Sequence, residues 1–200
     1  MMKERNETKS TNETRVLRSL AGALVATLPA KKATVGALAL LLGGGLTALA
    51  TDNRAPEVPD SSIAAPTNNV VHFHGFGVGF QVYTWNGTDW GKAVPDATLF
   101  DDEGNVVASH FGGPRWKSNS GSQVLGVLFA PPLIVDPNAI PWLLLQAVYE
   151  GGPGIFVDTT FIQRVNTVGG KSPSTDGTFV GQVAKVPYMA DYFFYRKSNR

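Results

Sequence analysis

The sequence predicts an all-β domain, an antiparallel β-sandwich or barrel of about eight strands, preceded by an N-terminal signal segment. Three observations lead there. From Val70 onward, short runs rich in β-branched and aromatic residues recur at intervals of roughly 8–15 residues. Glycine, proline, asparagine and aspartate clusters separate these runs, and 22 Gly with 13 Pro suit many tight turns better than a helical protein. About eight such runs in succession suggest an antiparallel sandwich or barrel rather than a βαβ fold.

Composition narrows the function classes. A chain of 200 residues, 43% hydrophobic and 16% charged, holds enough apolar material for one sizeable core. It has no cysteine, which rules out a disulfide framework and a thiolate metal site. The formal charge of +1 is uneven: residues 1–50 carry seven Lys/Arg against three Glu, and residues 51–200 carry ten against thirteen Asp/Glu. The domain itself is mildly acidic, so nucleic acid is not an expected partner.

The chain divides into three parts. Residues 1–50 form an export signal with a long basic leader containing Lys3, Arg5, Lys9, Arg15 and Arg18. Lys31-Lys32 then precedes an uncharged, leucine-rich segment that ends in Ala48-Leu49-Ala50. A positive flank, a short apolar core and small residues at Ala48 and Ala50 mark a secretory signal with cleavage after Ala50. A retained anchor is the competing reading. Residues 33–50 would span roughly 27 Å as a helix, marginal for a bilayer core of about 30 Å. Gly43-Gly44-Gly45 would also weaken that helix. Membrane contact is therefore expected only through an uncleaved N-terminal segment, and the mature protein is expected to be secreted or periplasmic. Residues 51–69, with Pro56, Pro59 and Pro66, read as an extended linker that does not pack. Residues 70–200 form a single β domain.

Its elements follow in order. Val70 to Trp85 is a strand in which Gly75, Gly77 and Gly79 bare one face to a ring or another backbone. Asn86-Gly87-Thr88-Asp89 is a turn leading to Trp90. Ala97-Thr98-Leu99-Phe100 is a short strand, turned back by Asp101-Asp102-Glu103-Gly104-Asn105 into Val106 to Phe111. Gly112-Gly113-Pro114 breaks that strand before Arg115-Trp116, and Gln123 to Phe129 forms another. Ile140 to Glu150 is the most apolar run of the mature domain, and its Pro and Gly flanks favour strand over buried helix. Phe156 to Val168 and Tyr188 to Arg196 supply the last strands.

Phe161 to Gly170 reads as a strand that runs into a glycine turn, with neither face cleanly apolar. Gln163 is a polar exception among Phe161, Val165 and Thr167, so a polar group must be held against the sheet. Arg164 and Asn166, two residues apart, would project from one face about 7 Å from each other. Such a pair can grip an anion or a carbonyl-rich ligand, or tie down a loop. Arg164 is expected to be largely buried, paired with Asp158, Asp191 or carbonyls near Gly169-Gly170.

Several pieces resemble a known family. They are Phe80-Gln-Val-Tyr83, Pro95-Asp-Ala-Thr-Leu99, His110-Phe-Gly-Gly-Pro-Arg-Trp116, Gly121-Ser122, Ile140-Pro-Trp-Leu-Leu-Leu145, Gln163-Arg-Val-Asn-Thr-Val-Gly-Gly170 with Pro173, Val186-Pro-Tyr188 and Ala190-Asp-Tyr-Phe-Phe-Tyr195. In this order they resemble domain of unknown function 3455, a family of exported proteins of bacteria and fungi. The resemblance spans about residues 70–196 and implies export and a fold, with no established activity. Relatives often carry a cysteine after the tyrosine of the Gln-x-Tyr piece and another before Val-Pro-Tyr. Trp85 and Ser174-Thr175-Asp176-Gly177 stand in those regions here. If a disulfide staples the relatives, packing must replace it in this chain.

Known chemistries find little support. His72 and His74 share a strand face, but a metal needs a third ligand and only His110 remains, so no metal site or cofactor is expected. No G-x-S-x-G elbow occurs in the mature chain, and no phosphate loop. Asp101-Asp102-Glu103 reads as a solvated turn, since adjacent carboxylates cannot flank a sugar and a calcium loop spaces its ligands. Most tryptophans and tyrosines are expected to pack the sheet, with Trp116, after a Gly-Gly-Pro turn, as the exception. The ligand-binding candidates are His110, Trp116, Arg164 and Asn166. The expected function is an exported β domain that binds a partner, a cell-envelope component or a small ligand. The alternative is an enzyme of unrecognised type using His110 as acid/base with Arg164 as anion clamp, which requires both to meet at an open pocket.

Overall fold

A computed structural model describes residues 54–199. The basic leader, the apolar segment and the cleavage residues Ala48 and Ala50 lie outside the described residues. Among the described residues no helix is long and apolar enough to cross a membrane.

Eight antiparallel strands succeed one another around a closed barrel: β1 (Asn69–Thr84), β2 (Val94–Phe100), β3 (Val106–Phe111), β4 (Arg115–Ser118), β5 (Gln123–Leu128), β6 (Leu143–Gly151), β7 (Thr159–Gly169) and β8 (Val183–Lys197). The choice between sandwich and barrel falls on β1 and β8. These two long strands pair from Asn69↔Lys197 to Thr84↔Val183 and close the sheet on itself. Closure leaves no edge for another chain to extend. The apolar run around Trp142-Leu143-Leu144-Leu145 is a strand, as its flanks predict, although Trp142 itself lies outside it in a bridge to Leu133.

The bare face of β1 has its expected use. A Cβ at Gly77 would stand 2.7 Å from the Tyr192 ring, so the missing side chain is what lets that ring lie in the barrel centre. Around it pack Leu99, Trp116, Phe156, Ile162 and Phe194, all within the inner core. The Asn86–Asp89 turn forms as predicted, with Asn86 Oδ1 accepting from the Thr88 and Asp89 amides. Trp90 lies beyond the turn outside the strands, and β2 starts at Val94.

A second core lies outside the barrel, and here the sequence reading needs correction. The proline-rich segment expected to stay extended and unpacked instead lies on the sheet in its described part. A single 3₁₀ turn, Ser61–Ile63, is capped by Asp60, whose carboxylate accepts from the Ser62 amide at 2.8 Å. Ile63 is fully buried with Val71, Leu144, Phe161 and Tyr195. The polar exception Gln163 anchors this apron. Its Nε2 donates to the Ile63 carbonyl at 2.6 Å, and its Oε1 accepts from the Tyr195 hydroxyl at 2.6 Å. Few apolar residues in the segment predict this packing; one isoleucine and one backbone carbonyl suffice because Gln163 waits for them.

The two regions where relatives often hold cysteines are in contact. A Cβ at Gly177 would come within 2.7 Å of Trp85 Cβ, so the indole lies directly on the glycine. Backbone bonds from Gly181 to the Trp85 carbonyl and from Trp85 to the Gln182 carbonyl, each 2.8 Å, hold the same two segments together. Packing stands where the resemblance suggests a staple.

Candidate functional site

The odd-numbered strands all run toward one end of the barrel, where residues 85–93, 112–114, 129–142 and 170–182 connect them to the even-numbered ones. Most of the pieces that carry the family resemblance reach this end, while Gly121-Ser122 lies in the β4–β5 turn at the other. Thr167 Oγ1 donates to the Ile140 carbonyl at 2.6 Å, the Ile140 amide to the Gly169 carbonyl at 2.9 Å, and the Gly170 amide to the Pro187 carbonyl at 2.9 Å. Tyr83 completes the lock, its hydroxyl donating to the Gly170 carbonyl at 2.6 Å. Gly169 and Gly170 hold φ of 66° and 79°, the left-handed region that favours glycine. This clasp presents the Pro141 carbonyl to Arg164, whose Nε and Nη2 donate to it at 3.1 and 2.8 Å.

Arg164 therefore sits otherwise than the sequence suggests. It is half-buried rather than enclosed, and neither Asp158 nor Asp191 pairs with it; its guanidinium donates to the Pro141 carbonyl and reaches the Tyr192 hydroxyl, where its hydrogen bond favours the ionised phenol. Its charge nevertheless reaches deep into the barrel. Burial raises the phenols of Tyr83, Tyr188 and Tyr192, and the guanidinium opposes each shift. Tyr188 and Tyr192 share a hydroxyl–hydroxyl bond of 3.2 Å.

His110 and Trp116 join the same interior. Their rings stack at 4.1 Å between centroids and 4° between planes, and Tyr192 meets both edge-on at 5.3 and 5.5 Å. The His110 Nδ1–H donates to the Arg115 carbonyl at 2.8 Å. Burial first, and then the Arg164 charge, lower its pKa to about 3, against a helping bond from the Arg115 backbone. The ring is thus a neutral plate in the core, only 2% exposed. The enzyme alternative requires an imidazole that titrates near neutrality at an open pocket, and His110 offers neither. Trp116 is wholly buried and its Nε1 has no hydrogen-bond partner.

Asn166 does not belong to this group. A bulge between Val165 and Val168 inserts an unpaired residue, Asn166 takes φ 50°, and the side chain turns to the outside. There it donates to Asp191 Oδ2 at 2.8 Å. The strict alternation that would put Arg164 and Asn166 on one face fails because a bulge breaks the two-residue period. Outside, Asp191 also meets His74 Nε2 at 3.2 Å, while His74 Nδ1 meets Asp102 at 2.5 Å and its ring stacks on Phe193. The Asp191 bond, ahead of burial, leads the shift that raises the His74 pKa. Asp102 is thus more than a solvated turn residue. His72 points to a different partner, Thr159 Oγ1 at 3.1 Å, and burial lowers its pKa to about 4. Among the described residues no three His, Cys, Asp or Glu side chains are grouped as a metal would need.

Sequence reasoning missed Tyr83, Tyr188 and Tyr192, whose phenols feel the Arg164 charge, and Gln81 beside Tyr188. One signal existed: Gln81 and Tyr83 continue the parity of the three glycines and so face the interior. Gln81 is 3% exposed and its Nε2 makes no hydrogen bond, although it lies near enough to favour the ionised Tyr188 phenol. At the rim of the same end, a cleft of about 320 Å³ opens above Trp85 and Trp90 beside Asp89 and Asp176. The two indoles pack edge to face at 5.5 Å and are 6% and 7% exposed, so neither presents a face for stacking.

No curated protein and no solved structure matches the chain. A family model matches residues 66–196, which covers the whole of β1 to β7 and all but the last residue of β8. The residues that lock Ile140-Pro141 against the Gly169-Gly170 turn and hold Arg164, Gln81 and the tyrosines inside the barrel all fall within that match. The chain belongs to the family described as Protein of unknown function (DUF3455).

Proposed function

We propose that this is an exported, non-catalytic β-barrel protein that binds an acceptor-rich ligand, a free small molecule or an exposed group of a cell-envelope component, at the barrel end built around Arg164. One observation carries the reading: the interior at this end holds hydrogen-bond donors without matching acceptors. Arg164 has spare N–H groups, and Gln81 Nε2 and Trp116 Nε1 have no partner. Buried polar groups are nearly always paired, so a concentrated excess of donors is a cost that a ligand can relieve. Export is supported by the leader, the short apolar segment and the Ala48-Leu49-Ala50 ending. A barrel with an apolar interior and ion pairs such as Lys185–Asp96 and Arg115–Glu150 outside suits an aqueous compartment.

Two measurements test the reading. Mass spectrometry of the exported form is expected to show a chain beginning at Thr51; an intact leader on a membrane-bound product removes the export half. Thermal-shift screening of that mature form is expected to find compounds that raise its melting temperature, since a ligand for the native state alone must stabilise it. Stabilising compounds whose effect survives substitution of Arg164 and Gln81 would place the ligand elsewhere.

A further inference from the structure

We infer that the ligand of this barrel end is a small organic carboxylate, held by the Arg164 guanidinium with Gln81 and the Tyr188–Tyr192 hydroxyl pair as further donors. The inference rests on the binding function proposed above and names its chemical class.

Charge comes first. The ion pairs of His74, Arg115 and Lys185 leave Arg164 out. The buried polar residues include Gln81, His110 and Gln163 but no aspartate or glutamate. A half-buried guanidinium beside an acid-free interior lacks the compensation that buried charges ordinarily have. His110 stays neutral and the tyrosine phenols are raised by burial, so one positive charge faces the ligand. A single negative charge matches it.

Donor geometry narrows the class. A guanidinium has five N–H donors, and two of the hydrogen bonds of Arg164 converge on one oxygen, that of Pro141. Gln81 Nε2 adds an unused donor. The Tyr188–Tyr192 bond consumes one phenolic proton, and the other finds no acceptor among the described residues. A carboxylate supplies two oxygens with several lone pairs in the plane that a guanidinium fork recognises. Size follows from the packing: Trp116, Tyr192 and Phe194 already fill the barrel centre.

The test titrates the full chain with sodium formate, acetate and benzoate, with sodium chloride and nitrate at equal ionic strength, and with acetamide and benzamide as uncharged shapes. The readouts are the Arg164 side-chain N–H resonance and the melting temperature. The expected result is a saturable carboxylate response, weakened at least tenfold in Arg164→Gln, less in Arg164→Lys, and several-fold in Gln81→Leu. Should Arg164→Gln fail to fold, the wild-type resonance and Gln81→Leu decide the matter. Amides saturating the same resonance as well as carboxylates would overturn the carboxylate and leave the binding function standing. Equal responses to chloride or nitrate would overturn the organic class. If no probe of either class gives a saturable response, the carboxylate is overturned; if the thermal-shift screen is also empty, the binding function falls with it.

Discussion

Gln163 and Arg164 are neighbours on β7, yet they have opposite fates. Gln163 faces outward into a wholly apolar patch, and both ends of its amide are satisfied, by the Ile63 carbonyl and the Tyr195 hydroxyl. Arg164 faces inward among tyrosines, with two of its donors crowded onto one carbonyl and a further contact to the Tyr192 hydroxyl. The outer network is closed and fastens a segment to the barrel. The inner one leaves Gln81 Nε2 without a partner, and the proposed ligand would supply one. Burial of a polar group does not by itself distinguish structure from site; the matching of donors to acceptors does.

The strongest way to break this comparison is to remove what Gln163 holds. Ile63→Ala empties a fully buried position in the outer core, and such truncations cost about 2–5 kcal/mol. Urea unfolding should show a correspondingly lower midpoint, and a parental midpoint would mean that the apron adds nothing. Next comes Gln163→Leu, which leaves the Ile63 carbonyl and the Tyr195 hydroxyl buried and unpaired. Each orphan costs about 1–3 kcal/mol. A double-mutant cycle with Tyr195→Phe should recover part of the loss, because it deletes one orphan.

A smaller effect is expected from the outer His74 cluster, and it has a sign. The folded pKa of His74 is raised, so its contribution is fully present below the unfolded value and is lost as pH rises through the folded one. His72 and His110 act oppositely: with folded values of about 4 and 3, they stabilise above the unfolded value and lose that contribution on acidification. Asp191, whose folded pKa is lowered, contributes above its unfolded value and loses this as pH falls through the folded one. Stability of His74→Gln relative to the parent isolates the first term. The gap should be widest between the Asp191 and His74 titrations and should narrow above them; a gap independent of pH would deny the ion pair.

The smallest effect is expected where the sequence alone suggests a large one. A deeply buried, carboxylate-paired arginine would lose about 3–5 kcal/mol on truncation. Arg164 is half-buried and bonded to one carbonyl, so Arg164→Leu without ligand should change stability by about 1 kcal/mol or less, roughly the worth of one such contact. A drop of many degrees in melting temperature would return Arg164 to the structural side of the comparison.

The all-β pattern, the strand about Trp142 to Glu150 and the glycine face of β1 were readable because each depends on local chemistry: period, turn residues and side-chain size. The convergence of Gln81, Tyr83, Arg164, Tyr188 and Tyr192 was not, because these residues meet across strands far apart in sequence. His74 with Asp102 and Asp191 was hidden for the same reason. The Arg164–Asn166 pair was misread because it relied on a two-residue period that a bulge interrupts.

By itself the sequence determined that residues beyond Val70 form strands, that β1 must leave room on one face, and that β7 must hold polar groups against the sheet. It determined family membership through short strings such as Gln163 to Gly170. Closure was decided by tertiary structure alone, since only the pairing of β1 with β8 separates a barrel from a sandwich. Tertiary structure also decided which polar residues find partners. The reason is physical: strand propensity and periodicity are carried by neighbours along the chain, whereas pairing of a buried donor depends on which distant atom the fold brings within 3 Å.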